Sequence, residues 1–220
     1  MESIYAGFIS GLFQTIIGHP LDTLKTWSQN GNSLKKPKLT INNLYKGIKY
    51  PLIQNPIAIS SIFYSNYITK KYTNNEYVSG GVAGITSGII STPLDKYKIM
   101  QQQNIQYVFN KKNFLQSYKN LPIMLIREIP ACIIYFSSFQ YMKEQNIPTF
   151  ISGGIAGVAS WFLTYPVDTI KSRMQSGSYR TIKEAYQQKY LYRGLNSCLA
   201  RAFIVNSFGL YIYDKILFDI

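Results

Sequence analysis

Cysteine and histidine are scarce in this sequence, which has two cysteines and one histidine among its 220 residues. Cys132 and Cys198 both lie in apolar, helix-like stretches, where a buried free thiol is the usual state of a cysteine. No group of residues has the spacing of a disulfide framework or a metal site, and nothing resembles a nucleophile paired with a base. The sequence therefore predicts neither an enzyme nor a bound metal or cofactor.

Acidic residues are also few: there are 10, against 23 basic residues, which gives a formal charge of +13. A basic chain raises nucleic acid as a partner, but the charges here are separated by long uncharged runs. The longest runs are residues 3–21, 51–69, 77–94 and 146–167. Each is close to the roughly 20 residues that cross a bilayer as a helix. The sequence therefore favours a membrane protein over one that binds nucleic acid.

Two shorter uncharged runs, residues 129–142 and 202–213, span a membrane only if the charged residues beside them face water or the protein interior. The mean hydropathy of −0.05 is low for a membrane protein. Helices around an aqueous cavity explain the low value, because one face of each helix need not be apolar. The pattern predicts six membrane helices, and a water-soluble all-α protein is the alternative.

The strongest pattern is a repeated motif, Pro-x-Asp-x-x-Lys, at the end of three uncharged runs. Its prolines, at positions 20, 93 and 166, are separated by 73 residues in both intervals. A Gly-x-x-x-Gly pair precedes each proline at a constant offset, and an aromatic-basic pair follows each. Repetition at a fixed period indicates one structural unit used three times. We place the repeats at about residues 1–71, 72–145 and 146–220 of a single domain.

These three in-register motifs resemble the mitochondrial carrier (solute carrier 25) family, and the resemblance covers the whole chain. It implies an all-α membrane protein with six transmembrane helices, arranged as three pseudo-symmetric two-helix repeats around a central cavity. It also implies a multi-pass location in the mitochondrial inner membrane. The chain is rich in Lys, Asn, Ile and Tyr, whose codons are AT-rich, which would suit an AT-rich protist or a large DNA virus; for a virus, the membrane would be that of the host mitochondrion. The implied function is transport of a small metabolite by alternating access, with exchange favoured over uniport.

In the family, the charged residues of the repeated motif form a ring that closes the matrix side. An ionised group at membrane depth needs a partner, so we expect each aspartate to pair with the lysine of the next repeat. The expected pairs are Asp22 with Lys98, Asp95 with Lys171, and Asp168 with Lys25. A glutamine three residues after the lysine braces such a ring, and only Gln101 matches. The motif prolines remove a helical donor and should kink their helices; they are Pro20, Pro93 and Pro166.

Charged residues within the apolar even-numbered segments are functional candidates by default, and the resemblance puts substrate contacts midway along them. The candidates are Arg127, Glu128 and Arg201, with Gln54 as a weaker one. An arginine beside an acid resembles carriers of amino acids and related cations. The two arginines and the basic matrix face instead favour an anion such as a nucleotide or deoxynucleotide, so both cargo classes stay open. A salt-bridge cluster of Arg127, Glu128 and Arg201 without a ligand role is the structural alternative.

The gate on the opposite side is eroded relative to the family pattern of aromatic-acid-x-x-base. Its remnants are Gln140, Lys143 and Asp214. Lys143 and Asp214 keep a charge, and the cyclic pairing of the repeats does not bring them face to face unless Lys70 substitutes for Thr69. An eroded gate raises a channel-like leak as one alternative. A membrane scaffold without transport is another, although the intact ring of charges on the matrix side argues against it.

The loops after the odd-numbered segments are basic, and a bias of Lys and Arg to one side sets membrane orientation. The resemblance makes this side the matrix. An aromatic-basic-glycine motif there is similar to the family's cardiolipin sites, in which backbone N–H groups at a helix start bind lipid phosphate. Its two copies are Tyr45, Lys46 and Gly47, and Tyr192, Arg193 and Gly194. The expected partners are a small-molecule substrate and the bilayer, with cardiolipin, around a monomer that binds no nucleic acid.

Overall fold

The computed structural model describes residues 2–29, 40–45, 48–49, 51–102, 111–175, 181–187, 191–192 and 194–219. Side chains are described within these ranges except at residues 22–29, 43, 96–102, 111–112, 172–175, 182, 185 and 218–219. All regular secondary structure in this part of the chain is helical. The prediction of an all-α protein is therefore confirmed.

Six long helices and three short ones make up the described structure. In chain order they are α1 (Glu2–Gln29), α2 (Ile41–Leu44), α3 (Pro51–Thr73), α4 (Glu76–Gln102), α5 (Lys111–Ser117), α6 (Leu121–Glu144), α7 (Thr149–Gln175), α8 (Ile182–Gln187) and α9 (Leu195–Asp219). A short 3₁₀ turn separates α5 from α6. The long helices have 23 to 28 residues, enough to span the roughly 30 Å hydrocarbon core of a bilayer.

The six long helices form a closed ring in which each packs against two neighbours. Helix α1 packs against α3, α4 against α6, and α7 against α9, and the pairs are joined by α3 with α4, α6 with α7, and α9 with α1. The hydroxyl groups of Ser3 and Tyr213 lie 2.8 Å apart, so the first turn of α1 and the last turns of α9 share one end of the ring. We call this the terminal end. The opposite end, which carries α2, α5 and α8, is the loop end.

The buried face of the ring is rich in polar groups, while large apolar side chains are exposed, the reverse of a water-soluble bundle. Buried hydroxyl side chains include Ser10, Thr15, Ser60, Ser79, Ser87, Thr92, Ser152, Ser160 and Ser207. Exposed apolar side chains include Phe8, Phe13, Ile16, Ile53, Ile57, Phe162 and Leu163. Extended apolar surface of this kind marks a region that contacts lipid or another apolar partner.

By length and mean hydropathy alone, two stretches of the described chain qualify as membrane spans, Asn113–Glu144 and Thr149–Lys171. Helices outside these stretches also bury polar side chains. Helix α3, for example, buries Gln54, Ser60 and Asn66. The low hydropathy of α3 therefore goes with polar groups on its inner face, as the sequence predicts for helices around a cavity.

The Gly-x-x-x-Gly pairs lie on α1, α4 and α7, where these helices touch α3, α6 and α9, respectively. A Cβ atom built on Gly84 would lie 2.6 Å from the Cα atom of Ile129, and one on Gly80 would lie 2.8 Å from the Cα atom of Ile133. A Cβ on Gly11 would lie 2.6 Å from the Cα atom of Pro56. Real atoms do not approach so closely, so glycine at these positions allows backbone-to-backbone packing, as at helix interfaces in membranes.

Replacing Gly84 with alanine should therefore lower the free energy of unfolding by about 1–3 kcal/mol, the usual cost of overpacking a tight interface. Gly81→Ala is the matched control, because a Cβ atom there meets only the Ile133 side chain, at 3.8 Å. Thermal unfolding in detergent measures both. Equal destabilisation of the two variants would contradict the packing role of Gly84.

The three motif prolines lie inside continuous helices, and α1, α4 and α7 each continue for nine residues beyond their proline. Pro20, Pro93 and Pro166 thus hold equivalent places near the loop end. Each proline lacks an N–H group and leaves one carbonyl of the preceding turn without its helical donor. Buried threonine hydroxyls just before two of them bond the helix backbone: Thr92 donates to Gly88 O at 2.5 Å and Thr164 to Ser160 O at 2.7 Å.

Candidate substrate cavity and gates

A cavity of about 150 Å³ lies between five of the six long helices. Its described lining combines apolar and aromatic side chains with a few polar ones, the usual make-up of a small-molecule site. The polar and aromatic members are Gln14 of α1, Phe63 of α3, Arg127, Glu128 and Tyr135 of α6, Ser160 and Trp161 of α7, and Asn206 of α9. Residues from all three repeats therefore meet at one central space.

Arg127 is the centre of a charged cluster beside this cavity. Its Nη1 atom donates to Oε1 of Glu128, and its Nε atom lies 3.5 Å from Oδ1 of Asp168. The guanidinium also lies over the ring of Trp161, with Cζ 4.7 Å from the ring centroid, a geometry that attracts a cation to the ring face. Trp161 and Asp168 are seven residues apart on α7 and so share one face of that helix.

Glu128 pairs with Arg127 through one carboxylate oxygen and reaches toward α4 with the other. It is 6% exposed, and its Oε2 atom accepts a hydrogen bond of 2.8 Å from the Ser87 hydroxyl. Consecutive residues on a helix point about 100° apart, which is why Arg127 reaches α7 while Glu128 reaches α4. Both are held before any substrate arrives.

Two other expected substrate residues lie elsewhere. Gln54 is buried but donates from Nε2 to Oδ1 of Asp95 at 3.2 Å. Arg201 lies against α1, where a Cβ atom built on Gly18 would be 3.3 Å from its Nη2 atom. The described lining of the cavity includes neither residue. Of the alternative cluster of Arg127, Glu128 and Arg201, the described contacts include the pair of Arg127 and Glu128, and Arg127 also contacts Asp168 of α7.

Among the polar and aromatic residues that line the cavity, sequence reasoning missed Gln14, Trp161 and Asn206, as well as Phe63, Tyr135 and Ser160. A signal was available for the first three. Gln14 and Trp161 are polar or amphipathic residues within long uncharged runs, and Asn206 lies within a shorter one. Such residues usually face the interior of a membrane protein.

At the loop end, the side chains of three of the six expected ring residues are described. Lys171, 7% exposed, lies with its Nζ atom 2.8 Å from Oδ2 of Asp95. Asp95 accepts a second bond from Gln54. The third described residue, Asp168, contacts Arg127. The side chains of the other four residues expected here, Asp22, Lys25, Lys98 and Gln101, lie outside the described part of the structure.

At the terminal end, the expectation that Lys143 and Asp214 do not face each other is wrong. Lys143 Nζ lies 2.8 Å from Asp214 Oδ2. Thr149, the first residue of α7, explains the contact: its hydroxyl donates to Asp214 at 2.7 Å and accepts from Lys143 at 3.1 Å. Helix α7 packs between α6 and α9, so its first turn brings the ends of both helices together.

Lys70 does not take the place of Thr69 toward Asp214. Its Nζ atom donates to Oε1 of Gln140 at 2.9 Å and pairs with Glu76 at 2.6 Å. Gln140, the uncharged remnant of the expected gate, thus links α6 to α3. The terminal end therefore carries more polar contacts than the eroded motif predicts.

An apolar cluster lies next to these contacts. Phe63 stacks on Tyr213 with ring centroids 4.2 Å apart and meets Phe136 edge-on at 5.8 Å. All three are buried and pack with Ala6 and Ala83. Residues from α1, α3, α4, α6 and α9 thus converge, and Phe63 of this cluster also lines the cavity.

The two aromatic-basic-glycine motifs are described only in part, since Lys46, Gly47 and Arg193 lie outside the described residues. Gly194 has a φ angle of 86°, in the left-handed region that favours glycine. Its carbonyl accepts from the Cys198 N–H at 3.2 Å in the first turn of α9. The glycine therefore serves the turn that begins this helix.

The sequence that forms this ring and its charged cavity is similar to the sequences of known proteins. Residues 143–217 match the family model described as mitochondrial carrier protein. The chain is 30% identical to a mitochondrial arginine transporter of Arabidopsis thaliana, over 96% of this chain and 89% of that protein. This chain belongs to the mitochondrial carrier family.

Other relatives of the carrier are more distant but equally extensive. A mitochondrial basic amino acids transporter of Bos taurus is 26% identical over 92% of the carrier and 86% of its own length. A mitochondrial carnitine carrier of Saccharomyces cerevisiae is 23% identical over 94% and 84%. As a member of this family, the carrier is a transporter of small molecules and not an enzyme, and it is a multi-pass protein of the mitochondrial inner membrane.

Proposed function

We propose that this carrier exchanges an amino-acid-type solute, with one carboxylate and at least one cationic group, by alternating access. The observation that supports the proposal best is the position of Arg127 between two carboxylates, those of Glu128 and Asp168, beside the central cavity. A solute with charges of both signs can pair with the arginine and with a carboxylate of this cluster at the same time. Its carboxylate takes Arg127, and its ammonium group takes a carboxylate that Arg127 releases.

A nucleotide fits this cluster less well. Its phosphates would bind Arg127 but would lie close to Glu128 and Asp168, and like charges at short range in a partly desolvated site repel strongly. Three of the relatives favour the same choice, because they are called a transporter of arginine, a transporter of basic amino acids and a carrier of carnitine. All three solutes carry a carboxylate and a cationic group.

The contact between Arg127 and Asp168 also suggests how cargo drives the cycle. Asp168 belongs to the loop-end ring, in which it is the expected partner of Lys25. While Arg127 holds Asp168, that pair competes with the ring. When the cargo carboxylate takes Arg127, Asp168 is free to pair with Lys25. A ligand shifts a conformational equilibrium only through such differential contacts.

We also propose the arrangement of helices, gates and lipid sites that the family resemblance implies. All six long helices cross the membrane as three repeats, at about residues 1–71, 72–145 and 146–220. The loop-end ring is the matrix gate, and the contacts of Lys143, Asp214, Lys70 and Gln140 form the gate at the terminal end. The carrier works as a monomer, with cardiolipin at the aromatic-basic-glycine motifs.

A competition assay in proteoliposomes tests the cargo. Vesicles that contain the carrier and unlabelled arginine should take up labelled arginine, and external lysine should inhibit uptake whereas ATP and dATP should not. Vesicles without internal substrate should show little uptake, because exchange requires a counter-substrate. Inhibition by dATP but not by lysine would replace an amino acid by a nucleotide as the cargo. Uptake of arginine and ATP alike, with or without internal solute, would indicate a leak, and no uptake of either would favour a scaffold.

A further inference from the structure

Each motif proline leaves one backbone carbonyl of its helix without a helical donor. Because proline has no N–H group, the carbonyl four residues earlier loses its partner; this is Ile16 for Pro20 and Ile89 for Pro93. In the structure the Tyr45 hydroxyl donates to Ile16 O at 3.2 Å. The Tyr118 hydroxyl donates to Ile89 O, also at 3.2 Å.

The two hydrogen bonds join equivalent positions in the first and second repeats. Tyr45 and Tyr118 each begin an aromatic-basic pair, and each follows its motif proline by 25 residues. Their rings are held by local contacts that differ, Tyr45 by stacking on His19 at 6.2 Å and Tyr118 by an edge contact with Phe114 at 5.5 Å. A shared hydrogen bond with different ring contacts indicates that the hydroxyl, rather than the ring, is the repeated feature.

The third repeat departs from this pattern and offers a natural control. Tyr192 follows Pro166 by 26 residues rather than 25. Its ring stacks on Tyr165 with centroids 6.3 Å apart, and it is 53% exposed. Among the described residues, its hydroxyl makes no hydrogen bond to the carbonyl of Phe162, the one that Pro166 leaves without a helical donor.

We infer that Tyr45 and Tyr118 are positioning residues of the loop-end gate, each supplying the hydrogen bond that the motif proline withholds. Each bond ties the connection of its repeat to the helix that carries the gate residues, because Pro20 and Pro93 stand two residues before Asp22 and Asp95. A backbone carbonyl at membrane depth has no water to bond, so the tyrosine fixes where this helix can bend. The gating role rests on the proposed function, whereas the hydrogen bond does not.

A double-mutant cycle on thermal unfolding tests the bond without any transport measurement. Tyr118→Phe keeps the ring and removes the hydroxyl, and should lower Tm by roughly 2–4 °C, the effect of one hydrogen bond in a chain of this size. Tyr192→Phe should leave Tm unchanged. Pro93→Ala restores the N–H group to Ile89 O, so Tyr118→Phe should have little further effect in that background. The pair of Tyr45→Phe and Pro20→Ala repeats the test if Pro93→Ala does not fold.

An equal loss of Tm from Tyr118→Phe with and without Pro93, or an equal loss from Tyr192→Phe, would overturn the assignment. Added cardiolipin should raise the Tm of Tyr118→Phe as much as that of the wild type; loss of that increase would assign the tyrosine to lipid binding instead.

In proteoliposomes, Tyr45→Phe and Tyr118→Phe should lower the maximal rate of arginine exchange several-fold with unchanged half-saturation, and unchanged rates would remove the gating role. If the wild-type carrier takes up no arginine, the proposed cargo is refuted. The double-mutant cycle on Tm would still show whether the tyrosine hydrogen bond exists.

Discussion

Replacing Arg127 with alanine should lower arginine exchange by roughly 10- to 100-fold, because a hydrogen bond to a charged group contributes about 1.5–3 kcal/mol. The side chain is the described cation that lines the central cavity, and on our proposal it binds the cargo carboxylate. Initial rates of labelled arginine uptake into preloaded proteoliposomes measure the loss. Arg127→Lys should recover only part of the activity, because lysine keeps the charge but lacks the planar fork of donors.

Arg201→Ala is the matched control for Arg127. Both are arginines within long helices, but Arg201 lies over Gly18 of α1 and does not belong to the described cavity lining. We expect a clearly smaller loss of exchange from Arg201→Ala. A carrier that loses Arg127 and keeps its wild-type rate and half-saturation would bind its cargo elsewhere.

Reversing one charge of the pair formed by Asp95 and Lys171 should lower exchange by roughly 10-fold or more, since breaking a fully buried ion pair costs about 3–5 kcal/mol and this pair is partly buried. The two atoms are 2.8 Å apart, and Lys171 is 7% exposed. Asp95→Lys puts two ammonium groups together, and Lys171→Asp puts two carboxylates together. Uptake assays on each single variant measure the loss, with unfolding midpoints to confirm that the protein folds.

The double variant with Asp95→Lys and Lys171→Asp should recover part of this activity. Gln54 makes the exchange of charges feasible, because its amide can present either end to position 95. Its Nε2 atom now donates to Asp95, and its buried Oε1 atom, which has no hydrogen-bond partner among the described residues, can accept from a lysine there. Lys183→Glu on the exposed surface of α8 should change little. A double variant no more active than either single one would exclude a gate that depends on this pair.

The spacing of the repeats is sufficient to predict contacts between residues at matching depths of different helices. The contact between Asp95 and Lys171 agrees with the 73-residue period, which puts the charged residues of the motif at similar depth on α4 and α7. The glycine contacts with α3 and α6 follow from the same period. Such features require only the order of the helices and the phase of each motif.

Contacts that depend on the rotation of a helix or the reach of a side chain could not be predicted in this way. Arg127 was assigned to the cavity, but its contact with Asp168 depends on α7 presenting Trp161 and Asp168 on one face. Lys143 reaches Asp214 because Thr149 begins α7 between them, and the position where a helix begins is poorly fixed by sequence. Gln54 is a weaker substrate candidate in the sequence, and its hydrogen bond to Asp95 depends on the rotation of α3.

The glycine contacts described above also divide the ring mechanically. Within each repeat the two helices touch backbone to backbone, and separating them would forfeit many close dispersion contacts. Between repeats the helices are joined by hydroxyl and amide groups, as where Ser10 donates to Gly209 O at 2.7 Å, Ser160 to Ala131 O at 2.8 Å, and Asn66 to Ser79 at 3.0 Å. A serine on a helix can turn back to a carbonyl of its own preceding turn when its outside partner moves away. The contacts between helix pairs can therefore rearrange while each serine hydroxyl keeps a hydrogen-bond acceptor.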